Sequence, residues 1–531
     1  MYREDIDADR WRSIVDRSIW LQLSKLRSSG ITLGEAASVR LERISTAEPA
    51  WHLEENESDE FSTWMSGTDD PDYEDNITRD IAPRELDLLV DWLLKPPSNE
   101  QIFHETNWED VCRSDFPLSF DALGELAKRH EWPAERWRIA LNVWSEEALI
   151  ASSWERVAPL LPSIPDSLFL QITHNITGWI KSASKGISQH EQIMLETCSR
   201  ILGLDLSAEP GITTNGQPID DPVLSAINHP IGHVAEALIN VWFSRKPEDN
   251  ELLPQEIEPL FTALCDTEIA RFRHGRVLLG ARLITFYRVD KEWTKQHLLK
   301  LFSWENAVEA KSVWEGFLWS PRLYLPLMIS FKQEFLDSAN NYNELGKHKE
   351  QFALFLTHAI LNQVEGYTDE EFRESLASLP VDGLEYSAEA LVQALEGAAD
   401  RREDYWRNRI QPFWQIYWPK SRDLLSPSIA RSLTRLVIAA GSEFPTALKT
   451  LINGLQPIDH PHFEMRKLRE SGHCNQFPDD TLLLLEALFD DQQWAPRELG
   501  PCLEDIAQAK PELSDDQRYR RLHDYSRRRQ M

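Results

Sequence analysis

The sequence predicts an all-α protein made of stacked helical hairpins, which form either an irregular α-solenoid or two to three helical lobes. Three observations lead to this prediction. Apolar residues recur at intervals of three and four along most of the chain, which is the spacing of one helix face. The alternation of apolar and polar residues that is typical of strands is nearly absent. The turns between periodic segments are short and are often marked by Pro, Gly or Asn.

The chain has 531 residues, which is more than one compact core holds, because single cores stop growing at roughly 250–300 residues. We therefore predict an N-terminal helical segment over residues 1–97, with an acidic loop over 54–75 that contains no Lys or Arg. A helical lobe over 98–204 follows, then a linker or long loop over 205–222 that is rich in Pro, Gly and Asn. A C-terminal helical solenoid is predicted over 223–531.

Two segments show the helical pattern most clearly. Pro133–Ile150 opens with a proline, whose missing N–H costs nothing in the first helical turn. Pro83–Lys95 repeats this arrangement and ends at Pro96 and Pro97. Residues Ser338–His348 are predicted as a polar loop. Further helices are predicted over Asp166–Lys181, Asp221–Phe243, Thr267–Tyr287, Lys291–Ser303, Asn306–Trp319, Pro321–Leu336, His348–Val364, Arg401–Tyr417, Ser426–Ala440, Pro478–Phe489 and Ser514–Arg528.

The charge balance bears on the choice of partner. The chain carries 56 basic and 87 acidic residues, a formal net charge of −31. Such a field repels phosphate backbones, so it disfavours nucleic acid and favours basic protein partners. Two regions are basic in spite of this net charge. They are the stripe Arg271–Arg282 and a tail with six arginines between Arg518 and Arg529. Either could bind nucleic acid, although arginines in such a stripe more often pair with acids on a neighbouring helix.

The cysteines and the start of the chain indicate a compartment. The widely spaced cysteines form no CxxC pair, which indicates buried free thiols in a reducing environment. The first residues are charged and lack the apolar stretch of a secretory signal. No apolar run approaches the roughly 18–20 residues that cross a bilayer. We therefore expect a cytoplasmic protein without a membrane segment. The cysteines are Cys112, Cys198, Cys265, Cys474 and Cys502.

The common catalytic motifs are missing from the sequence. Gly346 and Lys347 resemble the end of a phosphate-binding loop, but Asn341 stands where that loop needs a glycine. No GxGxxG follows a predicted strand, and no serine lies between glycines as in a nucleophile elbow. We therefore assign no catalytic, cofactor-binding or metal-binding residue and predict that the chain is not an enzyme.

Two histidine groups support an alternative, an enzyme with an unfamiliar helical active site. His229 and His233 lie four residues apart, but Pro230 and Gly232 indicate a helix start at which His229 caps or packs. His274 lies within the arginine stripe. The second group combines nitrogen and sulfur donors of the kind that zinc prefers, at a spacing that matches no standard zinc module. Its members are His460, His462, His473 and Cys474.

The chain contains 20 tryptophans, an unusual number. Trp406, Trp414 and Trp418 cluster with other aromatic residues near the predicted helix Arg401–Tyr417. Aromatic platforms can stack on sugars or bases. At helical spacing, however, tryptophans more often fill the space between stacked helices, and this is our prediction for them.

Four stretches show a resemblance to a known family that covers most of the chain. They are Leu21–Met65, Trp132–Leu161, Asn228–Phe243 and Arg271–Trp293. They resemble the long helical C-terminal regions of large bacterial anti-phage defence proteins, in which a SIR2-like NAD-hydrolysing module or another effector precedes the helices. The resemblance implies a HEAT-like helical fold. It places the family's chemistry in the other module, so no catalytic residue carries over to this chain.

The resemblance implies a function as well. It indicates a non-catalytic sensor or scaffold, either a separate gene product or a piece of a larger protein. Such a region would bind a phage trigger, an NAD-hydrolysing effector or both, as a homo- or hetero-oligomer and without a cofactor of its own. Two alternatives stay open: the unfamiliar helical enzyme, and nucleic-acid binding through Arg271–Arg282 or the arginine-rich tail.

Overall fold

The computed structural model describes residues 8–49, 51, 53, 79–95, 105–186, 189–208, 213–214, 217–218, 220–421, 424–490 and 495–528. The chain divides into two compact units, Met1–Thr197 and Cys198–Met531. The predicted acidic loop over 54–75 lies outside the described residues. Within the described ranges, no helix combines the length and the apolar character that a membrane span requires.

The first unit consists of helices and one pair of very short strands. Strands β1 (Arg79–Asp80) and β2 (Glu105–Thr106) run parallel. The last helix continues into the second unit. The helices are α1 (Ala8–Ser28), α2 (Glu35–Ala47), α3 (Leu86–Leu93), α4 (Trp108–Ser114), α5 (Phe116–Lys128), α6 (Ala134–Trp144), α7 (Ile150–Val157), α8 (Asp166–Ala183) and α9 (Glu191–Gly203).

After the end of α9, the second unit contains strands β3 (Thr213–Thr214) and β4 (Gln217–Pro218), which pair antiparallel. Its first helices are α10 (Pro222–Ile227), α11 (Pro230–Ser244), α12 (Glu258–Leu264), α13 (Arg273–Gly280), α14 (Leu283–Val289), α15 (Lys291–Trp293), α16 (Ala307–Leu318), α17 (Leu325–Ser330) and α18 (Lys332–Asn340). They are followed by α19 (Lys349–Leu361), α20 (Asp369–Ala377), α21 (Val381–Gly397), α22 (Arg402–Tyr405), α23 (Pro427–Ala439), α24 (Phe444–Leu451), α25 (His462–Glu470), α26 (His473–Gln476), α27 (Pro478–Leu488), α28 (Leu499–Ala509) and α29 (Gln517–Arg528).

The prediction of an all-α fold is confirmed, and the second unit shows a solenoid-like order. Helix α13 packs on α16, α16 on α19, α19 on α21, α21 on α23 and α23 on α25. Hydrogen bonds repeat this order, since Arg276 reaches Glu309 across 33 residues and Ser426 reaches Glu385 across 41. A separation near 40 residues is the length of a HEAT-like helical hairpin. Each hairpin therefore contacts the next, as in stacked repeats.

Several predicted helices are shorter than the periodicity suggests. The segment Asp221–Phe243 forms α10 and α11, because Pro230 holds His229 in an extended conformation (φ −98°, ψ 143°). The segment Lys291–Ser303 contains a π-helical turn over Thr294–Leu298, followed by a 3₁₀ turn. The predicted loop Ser338–His348 is largely helical, with the end of α18 and a 3₁₀ turn. Apolar spacing marks helical segments but not the breaks between them.

Helices α13 and α16 cross unusually closely, because each presents a glycine to the backbone of the other. A Cβ on Gly316 would lie 2.1 Å from the carbonyl oxygen of Val277, and one on Gly280 would lie 2.8 Å from that of Val313. No other residue type lets two helix backbones approach this closely. The crossing therefore depends on both glycines.

Most of the tryptophans that the structure describes are buried between helices, as predicted, whereas Trp319 is 51% exposed. Trp242 lies against Phe261 and Phe286, and Trp314 lies against Phe302 and other rings between successive helices. The stack of Trp414 on Trp418 is also buried. Fully buried tryptophans are Trp108, Trp137, Trp144, Trp179, Trp242, Trp314 and Trp406.

Substitution of Gly316 by alanine tests the close crossing. The added Cβ would overlap Val277 O, and overpacking of this kind costs about 1–3 kcal/mol of unfolding free energy. Urea denaturation of Gly316→Ala should show that loss. Gly500 in α28 is a matched control, because a Cβ there meets nothing within 4 Å. Gly500→Ala should be neutral or stabilising by about 0.5–1 kcal/mol, and equal stability of the two variants would contradict the crossing.

Candidate functional site

His229 and His274 come together, and both bind the backbone of the segment that follows α9. Their rings stack with centroids 3.9 Å apart. Nε2 of His229 donates to Ser207 O at 3.0 Å, and Nε2 of His274 donates to Ala208 O at 3.0 Å. Nδ1 of His229 accepts from the N–H of Ile231, which confirms the predicted helix cap. The pair therefore holds a chain segment in place.

His233 does not join this pair, although it lies one turn from His229. Its Nε2 donates to Ile227 O at 3.1 Å, across the break between α10 and α11. Arg271 adds a further contact to the end of α9, through Nη2 to Leu202 O at 3.3 Å. His233 and Arg271 thus bind backbone carbonyl groups, and their roles are structural: His233 joins α10 to α11, and Arg271 holds the end of α9.

The arginine stripe is resolved into separate contacts. Arg276 and Glu309 form a buried ion pair, with side chains 0% and 2% exposed and a distance of 2.7 Å from Nε to Oε2. Arg273 binds the same carboxylate at 2.7 Å. Pairing with acids on a neighbouring helix is thus confirmed for these two arginines. Loss of one partner from a buried pair of this kind costs about 3–5 kcal/mol. Arg282 is exposed, and its guanidinium lies over the ring of Phe243.

The second histidine group does not converge. His473 is buried and donates through Nε2 to Ile438 O at 3.0 Å. Cys474 is buried beside Cys502. His462 is 59% exposed and lies 3.7 Å from Glu498. Among the residues that the structure describes, no group of three or more His, Cys, Asp or Glu side chains is arranged to hold a metal ion.

The arginine-rich tail forms the last helix, α29, in which three arginines contact acids. Arg518 pairs with Asp516 at 2.8 Å, and Arg520 pairs with Asp515 at 2.5 Å. Arg521 lies 3.8 Å from Glu486. The side chains of Arg528 and Arg529 lie outside the described residues. The described part of the tail is thus a charged, partly paired helix face.

A cavity of about 370 Å³ lies beside the Arg276–Glu309 pair in the second unit. Glu309 lines it, and Arg276 fixes a neighbouring wall because its Nη1 donates to Asp266 O at 2.6 Å. The start of α16 forms another wall, where Asn306 caps the N–H of Glu309. A carboxylate that already binds two arginines brings little net charge to a ligand, so the wall is polar without being strongly acidic.

A π-helical turn supplies the remaining wall of the cavity, which we call the Glu309 cavity. Gln296 and His297 belong to this turn and line the cavity. The ring of His297 stacks on Trp293, whose Nε1 donates to Thr262 Oγ1 at 2.8 Å. Turns with an extra residue are frequent at functional sites. The walls are held by hydrogen bonds of the protein itself, as in a pre-formed ligand pocket.

A second polar site surrounds Glu315, near the other end of α16. Glu315 is fully buried, and its Oε1 accepts from the N–H of Lys347 at 3.3 Å. Within the described chain its Oε2 is buried without a hydrogen-bond partner. Gly346 (φ 65°) makes room for the carboxyl group, because a Cβ there would lie 1.8 Å from Oε1. A buried, half-satisfied carboxyl group requires an explanation.

Two ion pairs flank this carboxyl group. Lys311 binds Asp220 at 2.8 Å, and Lys347 binds Asp221 at 2.5 Å. Asp221 also caps α10 by accepting from the N–H of Leu224 at 2.9 Å. We call Asp220, Asp221, Lys311, Glu315, Lys347 and the adjacent His348 the Glu315 cluster.

Burial dominates the electrostatics of the Glu315 cluster. It raises the pKa of Glu315 to about 7, against the N–H of Lys347 and the charge of Lys311, while Asp221 and Asp220 raise the pKa further. Burial opposes a low pKa at Asp221, but the Leu224 N–H and the Lys347 ammonium together hold that pKa below its ordinary value. Burial and the charge of Lys347 lower the pKa of His348. Glu315 therefore titrates near neutral pH.

Sequence reasoning missed both polar sites. Gly346 and Lys347 had suggested only an incomplete phosphate loop, whereas in the fold they pack against Glu315. The contacts of the Glu315 cluster span 91 and 126 residues, so no local spacing could have indicated them. The Glu309 cavity depends on a π-helical turn, which has no composition signal of its own.

Comparison with known proteins places the chain near one protein of undetermined role. It is 21% identical over 528 residues to an uncharacterized protein, y4cA, of Sinorhizobium fredii (strain NBRC 101917 / NGR234). The match covers 96% of this chain and 42% of that protein, so the chain spans less than half of the relative's length. No protein-family model and no solved structure matches the chain.

The His229–His274 pair predicts a sensitivity to acid. Burial lowers the pKa of His274, the hydrogen bond to Ala208 opposes this, and Arg273 and Arg276 lower the pKa further. The neutral ring is favoured in the folded state, so its contribution to stability is present above the unfolded pKa of about 6.5 and is lost as pH falls through the folded pKa. In His274→Gln, the urea concentration at the unfolding midpoint should fall less on acidification than it does in the wild type.

The control for this measurement is His462→Gln, at a side chain that is 59% exposed. It should leave the pH dependence of the urea midpoint as in the wild type. Other buried histidines also resist protonation, His473 among them, so we expect a reduced slope for His274→Gln rather than a flat profile. An unchanged slope in that variant would show that His274 does not carry the effect.

Proposed function

We propose that the chain is a non-catalytic helical sensor or scaffold region in bacterial anti-phage defence. It binds a phage protein, an NAD-hydrolysing effector carried on a separate module, or both. Stacked helical hairpins supply extended surfaces for such recognition. The partial match to a longer protein supports this proposal, because a helical region that accompanies another module would match only part of its relative.

One observation carries the proposal: large apolar side chains are exposed on the second unit. Trp319, Leu325 and Ile329 are 51%, 49% and 49% exposed. Leu325 and Ile329 lie four residues apart on α17, and thus on one face of that helix. Exposed apolar groups that form a contiguous patch mark interaction sites. We call Leu325 and Ile329, which share this helix face, the Leu325 strip.

Acidic residues border the Leu325 strip and indicate the chemistry of its partner. Ile329 approaches the loop at Gly366, where a Cβ would lie 4.0 Å from its Cγ1. Glu365 precedes this glycine, and α20 begins three residues after it with Asp369 and Glu370, all exposed. Together with the net charge of −31, these acids favour a protein partner that presents apolar side chains flanked by Lys or Arg.

The double variant Leu325→Asn/Ile329→Asn tests this surface. The tagged chain is isolated from bacteria before and during phage infection, and bound proteins are identified by mass spectrometry. Wild type should retain a phage protein or an NAD-hydrolysing protein, and the variant should lose it by at least about tenfold, which corresponds to about 1.4 kcal/mol. Both substitutions are at exposed positions, so the thermal unfolding midpoint should change little.

Leu170→Asn is the matched control, because Leu170 is 50% exposed on α8 of the first unit. It should retain the same partner as wild type. Recovery of only unrelated host proteins, or an equal loss in the control and the double variant, would overturn the proposal. Phage plating on cells that carry the defence system provides a second readout, and plating should rise with the double variant only.

A second candidate function is recognition of a small molecule, and the Glu309 cavity favours it. Among the described residues that line the cavity, Thr267, Gln296 and Lys300 make no hydrogen bonds through their side chains. The positive charge of Lys300 is offset by Asp266 and Glu305, which also line the cavity, so the wall offers donors and acceptors with little net charge. A neutral, hydroxyl-bearing molecule of the size of a sugar or nucleoside fits this lining and volume.

Saturation-transfer NMR with a panel of neutral sugars and nucleosides tests the Glu309 cavity. At least one of them should receive magnetisation from the wild-type chain, and Gln296→Leu should reduce that signal severalfold, because a wall donor and acceptor are lost. Gln508→Leu is the control, at an exposed position on α28. Absence of transfer from every probe, or equal transfer in both variants, would rule out this function.

A further inference from the structure

The Glu315 cluster joins three parts of the second unit that are distant in sequence. Glu315 and Lys311 lie on α16, one turn apart. Asp220 and Asp221 immediately precede α10. Lys347 belongs to the 3₁₀ turn before α19. The two ion pairs therefore fasten the start of α10 to α16 and to this turn.

We propose that Glu315 is a proton-binding site that controls how tightly the chain before α10 is held. With the proton bound, the carboxyl group is neutral, and the two Lys–Asp ion pairs stay closed. When the proton leaves to solvent, the buried carboxylate draws Lys311 away from Asp220. This end of the segment between α9 and α10 then loosens.

The geometry gives the carboxylate this choice of partner. A Cβ on Gly346 would lie 1.8 Å from Glu315 Oε1 and 3.6 Å from Lys311 Cε, so the end of the Lys311 side chain passes close to the carboxyl group. Oε2 of Glu315 is buried and unpartnered within the described chain, so it can accept a new donor. Asp220 is 80% exposed and is easily rehydrated when its lysine leaves. An exposed ion pair is worth little, whereas an ionised buried carboxylate without a partner is costly.

The charged groups that face Glu315 act consistently with this exchange. Asp220 and Asp221 disfavour its ionisation, and Lys311 favours it. Burial and the charge of Lys347 lower the pKa of His348, which favours its neutral ring. Because the pKa of Glu315 is raised, its stabilising contribution is complete below the unfolded value and is lost as pH rises through about 7. The groups that act on Glu315 are Asp220 and Asp221 before α10, Lys311 on α16 and the N–H of Lys347 in the 3₁₀ turn, while Lys347, Asp221 and Glu350 act on the neighbouring His348.

Hydrogen exchange of the α10 backbone amides in the full chain tests the proposal. Exchange is measured at about pH 6 and about pH 8, one unit to either side of the pKa of about 7, and is corrected for its intrinsic pH dependence. Protection of α10 in the wild type should fall by about fivefold to tenfold between these values. Glu315→Gln cannot ionise and should keep the higher protection at both. Asp220→Asn, which lacks one ion pair, should show the lower protection at both.

Glu344→Gln is the matched control, because Glu344 is exposed in the same 3₁₀ turn. It should behave as the wild type does. Corrected protection in the wild type that does not change with pH would overturn the proposal, as would an unchanged pH response in Glu315→Gln. If that variant fails to fold, infrared spectroscopy of the wild type decides. The band of a protonated carboxyl group should be present at about pH 6 and weaken by about pH 8, and its absence at the lower pH would refute the proton site.

Discussion

The close crossing of α13 and α16 is the constraint on which the polar architecture of the second unit depends. Gly280 and Gly316 bring two backbones together at distances that exclude any side chain. This separation brings Arg276 of α13 against Glu309 of α16. Because the ion pair is removed from water, its remaining polar atoms need hydrogen-bond partners from the protein. Arg276 also donates hydrogen bonds to two backbone carbonyl groups near α12, those of Leu264 and Asp266. The crossing thus fixes α16, one wall of the Glu309 cavity and the position of Glu315.

The same two helices hold both ends of the segment between α9 and α10. His274 from α13 binds Ala208 at its beginning, and Lys311 from α16 binds Asp220 at its end. The two attachments differ in character. The bond at Ala208 is made by the buried ring of His274, whose protonation is disfavoured by burial and by the charges of Arg273 and Arg276, so acid weakens this attachment. The lysine bonds are made to carboxylates and compete with Glu315, so they weaken as pH rises. Under the proposed exchange, the described ends of this segment, at Ala208 and Asp220, are held best over an intermediate range of pH.

The sequence was sufficient for the helices and for some local roles, and insufficient for both polar sites. Apolar spacing marked α6, α16 and α19, and Pro230 with Gly232 identified the cap at His229, because these features act within one or two turns. The chemistry of arginine was enough to predict that Arg276 pairs with an acid. The sequence did not indicate that this acid is Glu309. The metal hypothesis could not be judged from spacing, because His473 turns into the core while His462 stays at the surface. The Glu315 contacts arise from the stacking of distant hairpins.

A gain in folding stability does not readily explain why position 315 holds a carboxyl group. A buried ionised group without a full set of partners costs free energy, and apolar replacements of such groups are often neutral or stabilising. Gly346 adds to this cost, because any Cβ at this position would overlap the carboxyl group, and glycine loses more backbone freedom on folding than other residues do. Two features that each reduce stability are thus combined around one titratable group. A proton-dependent contact gives a physical reason for both, since a carboxyl group that is costly to ionise titrates near neutral pH and, once ionised, can take Lys311 from Asp220.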